Sequence, residues 1–187
     1  MAAWIIQDEN YGDIARDELV EAAVEFSFHE PPTAAEGQSA TARRVDNATY
    51  DLVGRVLVVE PKVWVLDIGG LCIFDESTPP PGVAVGGSVA GRALLGVDPF
   101  FYFERLGKQP TMPALIYRWR VLSIARETTP MTRGGGVCSW RDPSKLRWVE
   151  VEATNAWVDD DGHGEYVLRC ELLADAPKRS RGQDTTG

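Results

Sequence analysis

Lysine is scarce in this chain. Only Lys62, Lys108, Lys145 and Lys178 carry it among 19 basic residues, against 28 acidic ones, for a net charge of −9. Phosphate contacts dominate nucleic-acid affinity, so a chain of this charge is repelled at long range and only a local basic face remains for such a ligand. Long apolar runs are missing too. Nothing approaches the roughly 18 consecutive apolar residues of a membrane-spanning helix, so no membrane partner is expected. The stretch "MAAWIIQDENYGD" has no positive charge before its short apolar run and turns acidic at once, unlike a secretory signal, and a cytoplasmic location is expected. Arginine in place of lysine, with abundant Ala, Gly, Val and Asp, fits a GC-rich bacterial or phage genome.

Chemistry-bearing residues are equally sparse. Cys72, Cys138 and Cys170 are odd in number and widely spaced, which gives neither a disulfide framework nor a CxxC pair and leaves reduced thiols. His29 and His163 are the only histidines, so any imidazole catalysis or zinc site must use one of them. "GVAVGGSVAG", Gly82 to Gly91, lacks the Lys-Ser/Thr of a phosphate loop and the strand–turn–helix setting of a dinucleotide fingerprint. "DDDGHGE", Asp159 to Glu165, resembles part of a calcium loop but lacks its further oxygen ligands, whereas Asp-Gly between strands supplies the positive φ of a turn. No cofactor, no metal and no enzymatic activity are expected.

The charge that is present is divided along the chain. Residues 1–40 hold nine acids and one base, residues 41–145 ten acids and 13 bases, and residues 146–177 eight acids and two bases. A mildly basic middle thus lies between acidic flanks.

Periodicity supplies the rest. Val24, Phe26 and Phe28 alternate with Glu25, Ser27 and His29, the pattern of a half-buried strand, with the preceding residues open to a helical start. Residues 31–44 mix Pro, Gly, Ser, Thr and small residues without period and read as an exposed linker. From Tyr50 the chain spells a three-stranded meander: residues 50–59, a turn at Pro61, residues 63–68, Gly69-Gly70, and residues 71–75. A Gly-opened strand through Leu95 follows, and the alternation within residues 112–127 predicts the strand that closes the set. Residues 148–158 and 165–173 alternate on either side of "DDDGHG" and read as a β-hairpin. The expected fold is therefore all-β: a small antiparallel barrel elaborated by an N-terminal strand and a C-terminal hairpin. One β-rich domain is expected over residues 1–187, with an acidic segment 1–44, a barrel core of about 45–127, the hairpin within 146–175 and a flexible tail 176–187. A long coiled first strand bearing Gly54, a meander and a Gly-rich fourth strand together resemble the oligonucleotide/oligosaccharide-binding (OB) fold across residues 50–124.

Two stretches stand out as binding candidates. "FFYF", Phe100 to Phe103, places four aromatics in a row. If Phe100 and Tyr102 fill the barrel, Phe101 and Phe103 point outward and need a cover. The N-terminal strand or Val149, Val151 and Trp157 of the hairpin would supply it internally; a second copy or another protein would supply it externally. "YRWR" interleaves Tyr117 and Trp119 with Arg118 and Arg120, a pattern that on one exposed face would stack and clamp single-stranded nucleic acid. The same alternation also suits Tyr117 and Trp119 facing inward with the arginines solvated. The reading favoured is a non-enzymatic binding protein, inhibitor- or immunity-like, whose acidic and aromatic surface takes a basic protein partner or a second copy. Single-stranded nucleic acid is the alternative ligand.

Overall fold

The computed structural model describes residues 1–8, 10–133 and 139–180. Cys138 and residues 181–187 of the tail lie outside them. In chain order the strands are β1 (Leu19–Ala22), β2 (Val24–Phe28), β3 (Thr33–Ala34), β4 (Thr41–Asp46), β5 (Thr49–Glu60), β6 (Val63–Asp67), β7 (Cys72–Asp75), β8 (Ser88–Val97), β9 (Tyr117–Glu127), β10 (Met131–Arg133), β11 (Ser139–Arg141), β12 (Trp148–Val151) and β13 (Tyr166–Leu172). Short helices α1 (Ala3–Gln7) and α2 (Phe101–Glu104) interrupt them. Among the described residues no helix is long and apolar enough to cross a membrane. The chain divides into two compact units, each made of two segments: residues 21–118 with 174–187, and residues 1–20 with 119–173.

The first unit is an all-β closed barrel of five strands. The meander β5–β6–β7 forms as its turns dictate, with Gly69 and Gly70 both at positive φ (100° and 99°) between β6 and β7. Closure comes from the N-terminal side, not from residues 112–127. β2 pairs antiparallel with β8, which pairs antiparallel with β5, and β2 lies parallel to β7. β7 and β8 run in opposite directions, so a strand fitted between them must lie parallel to one of the two, and here that one is β7. β5 passes close to β6 at Gly54, where an added Cβ would lie 3.1 Å from the Cβ of Leu66. Both β4 and β8 pair with its residues Thr49–Val53 and therefore occupy opposite edges.

Alternation fills the barrel. Phe26, Leu52, Val56, Trp64, Leu66 and Ile73, drawn from β2, β5, β6 and β7, form the interior cluster. The opposite faces of β6 and β7 present Val63, Val65 and Phe74 to a second cluster with Tyr102, Leu106, Met112 and Leu115. β6 is thus buried on both sides.

The supposed linker at residues 31–44 holds β3 and the start of β4, paired with β8 and β5. These are exposed edge strands, held by backbone hydrogen bonds and leaving no apolar period to read.

In the second unit β9 is the central strand. β1 and β12 lie on one path through it, and β13 also pairs with it. Residues Ile124, Ala125 and Arg126 each have a partner in both β12 and β13, so those two strands occupy opposite edges of β9 and do not form the expected hairpin with each other. The connection between them is long and anchored elsewhere: Ala153 bridges Ala15, and the Thr154 backbone N–H donates to the Ile14 carbonyl. Val121, Ile124, Tyr166, Ala156, Ile6 and Ile14 form this unit's core.

Candidate binding surfaces

The aromatic run is a helix and not a strand. Asp98 accepts a hydrogen bond from the Tyr102 backbone N–H at 3.2 Å, securing the turn of α2. Tyr102 is fully buried, tilted against Phe74 with ring centroids 5.9 Å apart. Its hydroxyl donates to the Pro113 carbonyl and accepts from the Leu115 N–H. The run needs no cover from the N-terminal strand or from residues 148–158, because it is itself the cover of the barrel's outer face. Phe103 packs against that cluster, and the Phe101 ring lies tilted against Phe100 with centroids 4.5 Å apart. Trp157, a candidate cover in the sequence, is 68% exposed, and Val149 is 49% exposed.

The remaining sequence candidates disperse. Tyr117 is buried, and its hydroxyl accepts the Cys72 backbone N–H at 2.9 Å; burial pushes its phenol well above the usual range. Arg118 pairs with Asp175 at 2.5 Å and Arg120 with Glu171 at 3.7 Å. Trp119 is half-buried. Phe101, Phe103, Tyr117 and Arg118 belong to the barrel unit, Trp119 and Arg120 to the other.

Beside α2 lies a cluster of carboxylates. Glu25 on β2 points away from the barrel interior, toward Asp75 and Glu76 at the end of β7 and Asp98 after β8. Burial first, then Asp98, Glu76 and Asp75, push its carboxyl up to about 8. Arg105 pairs with Glu76, but Glu25 Oε1 and Glu76 Oε2 are buried without a hydrogen bond.

The barrel also carries a groove of about 770 Å³. Its floor is read from the register. Thr41, Val53, Ala90 and Thr33 form one row across β4, β5, β8 and β3, and Arg43, Asp51 and Arg92 form the next. Both rows line the groove, with His29 and Glu30 beside them. Asp51 takes Arg43 at 2.5 Å on one oxygen and Arg92 Nε at 2.9 Å on the other. The hydrogen bond from Arg92, with the charge of both guanidiniums, holds its carboxyl below the usual range. The three side chains differ in depth: Asp51 is 32% exposed, Arg92 55% and Arg43 77%.

In the second unit the surface feature is the loop before β13. Asp159 is nearly buried; its carboxylate accepts from the Tyr166 hydroxyl at 2.8 Å and the Asn155 N–H at 3.3 Å, and pairs with Arg126. Asp160 and Asp161 follow at φ 52° and 53°, then Gly162 at 83°, so the positive φ foreseen for Asp-Gly extends over three residues. Gln7 of α1 donates to the carbonyls of Ala156 at 2.7 Å and Gly162 at 2.9 Å. Arg141 pairs with Asp160 and with Glu127. This fixed loop projects Trp157 and Val158, each 68% exposed, and Trp4 on α1 is 51% exposed.

No protein-family model, curated protein or solved structure matches this chain.

Proposed function

We propose that this is a non-enzymatic binding protein whose acidic and aromatic loop surface engages a basic protein partner. One observation carries the reading: Trp157 and Val158 are adjacent, largely exposed and mounted on a loop held from both ends. Exposed apolar side chains are unremarkable singly, but tryptophan on a preordered backbone is the usual anchor of a protein interface. Two aspartates in the left-handed region add to this. Such strain of about 1–2 kcal/mol per residue concentrates where a backbone is shaped for a purpose. The partner's charge follows from the unit's own: residues 1–20 and 119–173 hold 14 acids and eight bases, and complementary charge speeds encounter. A reducing, cytoplasmic setting accords with the free thiols of Cys72 and Cys170.

The barrel reads as OB-like, with a strand order that places β2 where such a barrel draws its last strand. Single-stranded nucleic acid stands second on that account, since Arg118 and Arg120 are paired with acids and Tyr117 is buried.

The test is affinity purification with the full chain at low and moderate salt beside Trp157→Ala/Val158→Ser. A stoichiometric basic protein held by the wild type and lost by the variant supports the reading. A partner that survives loss of both side chains, or self-association alone, defeats it.

A further inference from the structure

We infer that the barrel groove is a binding site for a phosphate monoester of nucleotide size, independent of the Trp157 loop. The groove's volume lies within the range of small-molecule sites, about 300–1,000 Å³. Its charges are layered. Asp51 is the least exposed of the three, and the two guanidiniums it holds, from the neighbouring strands β4 and β8, are more open to solvent. The bonds to Asp51 use one nitrogen of each arginine, Nη2 of Arg43 and Nε of Arg92, and a guanidinium has five N–H donors. An incoming phosphate therefore meets oriented cations before it meets the carboxylate. Asp51 keeps both guanidiniums at the groove through one hydrogen bond each, and its charge competes with an incoming anion for them. Thr41 lies in the adjoining row and adds a hydroxyl suited to a phosphate oxygen, the Thr33 hydroxyl beside it donates to the Ala90 carbonyl at 3.4 Å, and Val53 and Ala90 give a small apolar floor. Glu30, the other acid of the groove, limits the negative charge it can accept and so favours a single phosphate over a phosphodiester chain.

The test is calorimetric titration of the full chain at low salt with inorganic phosphate, a nucleoside monophosphate, the parent nucleoside and a single-stranded oligonucleotide. Binding by both phosphate and the monophosphate, with none by the nucleoside, is expected. Tighter binding of the monophosphate than of phosphate marks the ester as the ligand; equal binding reduces the site to one for free phosphate and overturns the nucleotide-sized assignment. Arg43→Ala and Arg92→Ala should each weaken binding about tenfold, the loss of one charge-assisted pair. Arg55→Ala, on β5 but outside the groove, should not. Asp51→Asn separates this site from a merely structural ion pair, because removing the competing charge while keeping the shape should tighten binding several-fold. No phosphate binding, indifference to both arginines, loss of affinity in Asp51→Asn, or an oligonucleotide that outcompetes the monophosphate would each overturn the assignment.

Discussion

Replacing Glu25 by Gln should stabilise the barrel, and only above acidic pH. In the folded chain the Glu25 carboxyl sits at about 8 against an ordinary 4.5, because it is buried and faces Asp98, Glu76 and Asp75. Between those two values the native state keeps a proton that the unfolded chain releases. Unfolding free energy therefore falls as pH rises through that window, by at most about 1.4 kcal/mol per pH unit. At pH 7 the limit is about 3 kcal/mol, and solvent at this half-buried group screens it to about 2 kcal/mol. Glutamine keeps the shape of the side chain and removes the linkage, because it carries no charge to lose. Near pH 4.5 the variant and the wild type should be equally stable. At pH 7 the variant should gain about 2 kcal/mol, or roughly 4–8 °C in Tm for a chain of this length. Urea unfolding of both proteins at several pH values between 4.5 and 8, followed by circular dichroism, measures this directly. A difference that does not change with pH, or a variant less stable at pH 7, would refute the argument.

Three further outcomes are expected. Gly91→Ala should cost about 1–2 kcal/mol in a thermal melt, because the new Cβ would lie 2.8 Å from Phe28 Cδ1 and the ring must move. Tyr166→Phe should lower stability by about 1–3 kcal/mol in denaturant titration, since the lost hydroxyl serves both the Asp159 carboxylate and the Asn155 N–H in a buried setting. Asp161→Gly should raise Tm, by an amount equivalent to about 0.5–1 kcal/mol, by placing glycine at an exposed φ of 53°; a lower Tm would show that the aspartate side chain contributes more than its backbone costs.

How far the sequence could be read follows from the range of each interaction. The meander was legible because its turns are local: Pro61 and Gly69-Gly70 mark where strands of alternating residues must reverse. The alternation of β2 was equally plain, but periodicity names the buried face without naming the partner, and β2 pairs with β7 and β8 far along the chain. Residues 148–151 and 166–172 were recognisable strands for the same reason and mispaired for the same reason, since adjacency in sequence suggested a hairpin that β9 in fact separates. β3 and β4 left no trace in hydropathy because their side chains are in water. "FFYF" could not declare itself, because an unbroken apolar run has no period from which to tell strand from helix. The groove was not visible: Arg43 falls in residues 31–44, which read as a linker, and Asp51 and Arg92 meet it only through the register of three strands.

Closing the barrel with β2 sets the order in which the fold is assembled. The chain is made from its N-terminus, so the strand that completes the ring is also the first of the five to be synthesised. Its partners, Phe74 opposite Glu25 and Leu95 opposite Phe26, arrive last. Until then β2 is an apolar strand with nothing to pair with, while β5, β6 and β7 can zip together through short turns. Contacts so distant in sequence are slow to form, so closure should be the late step of folding and β2 the strand that first needs protection from other chains.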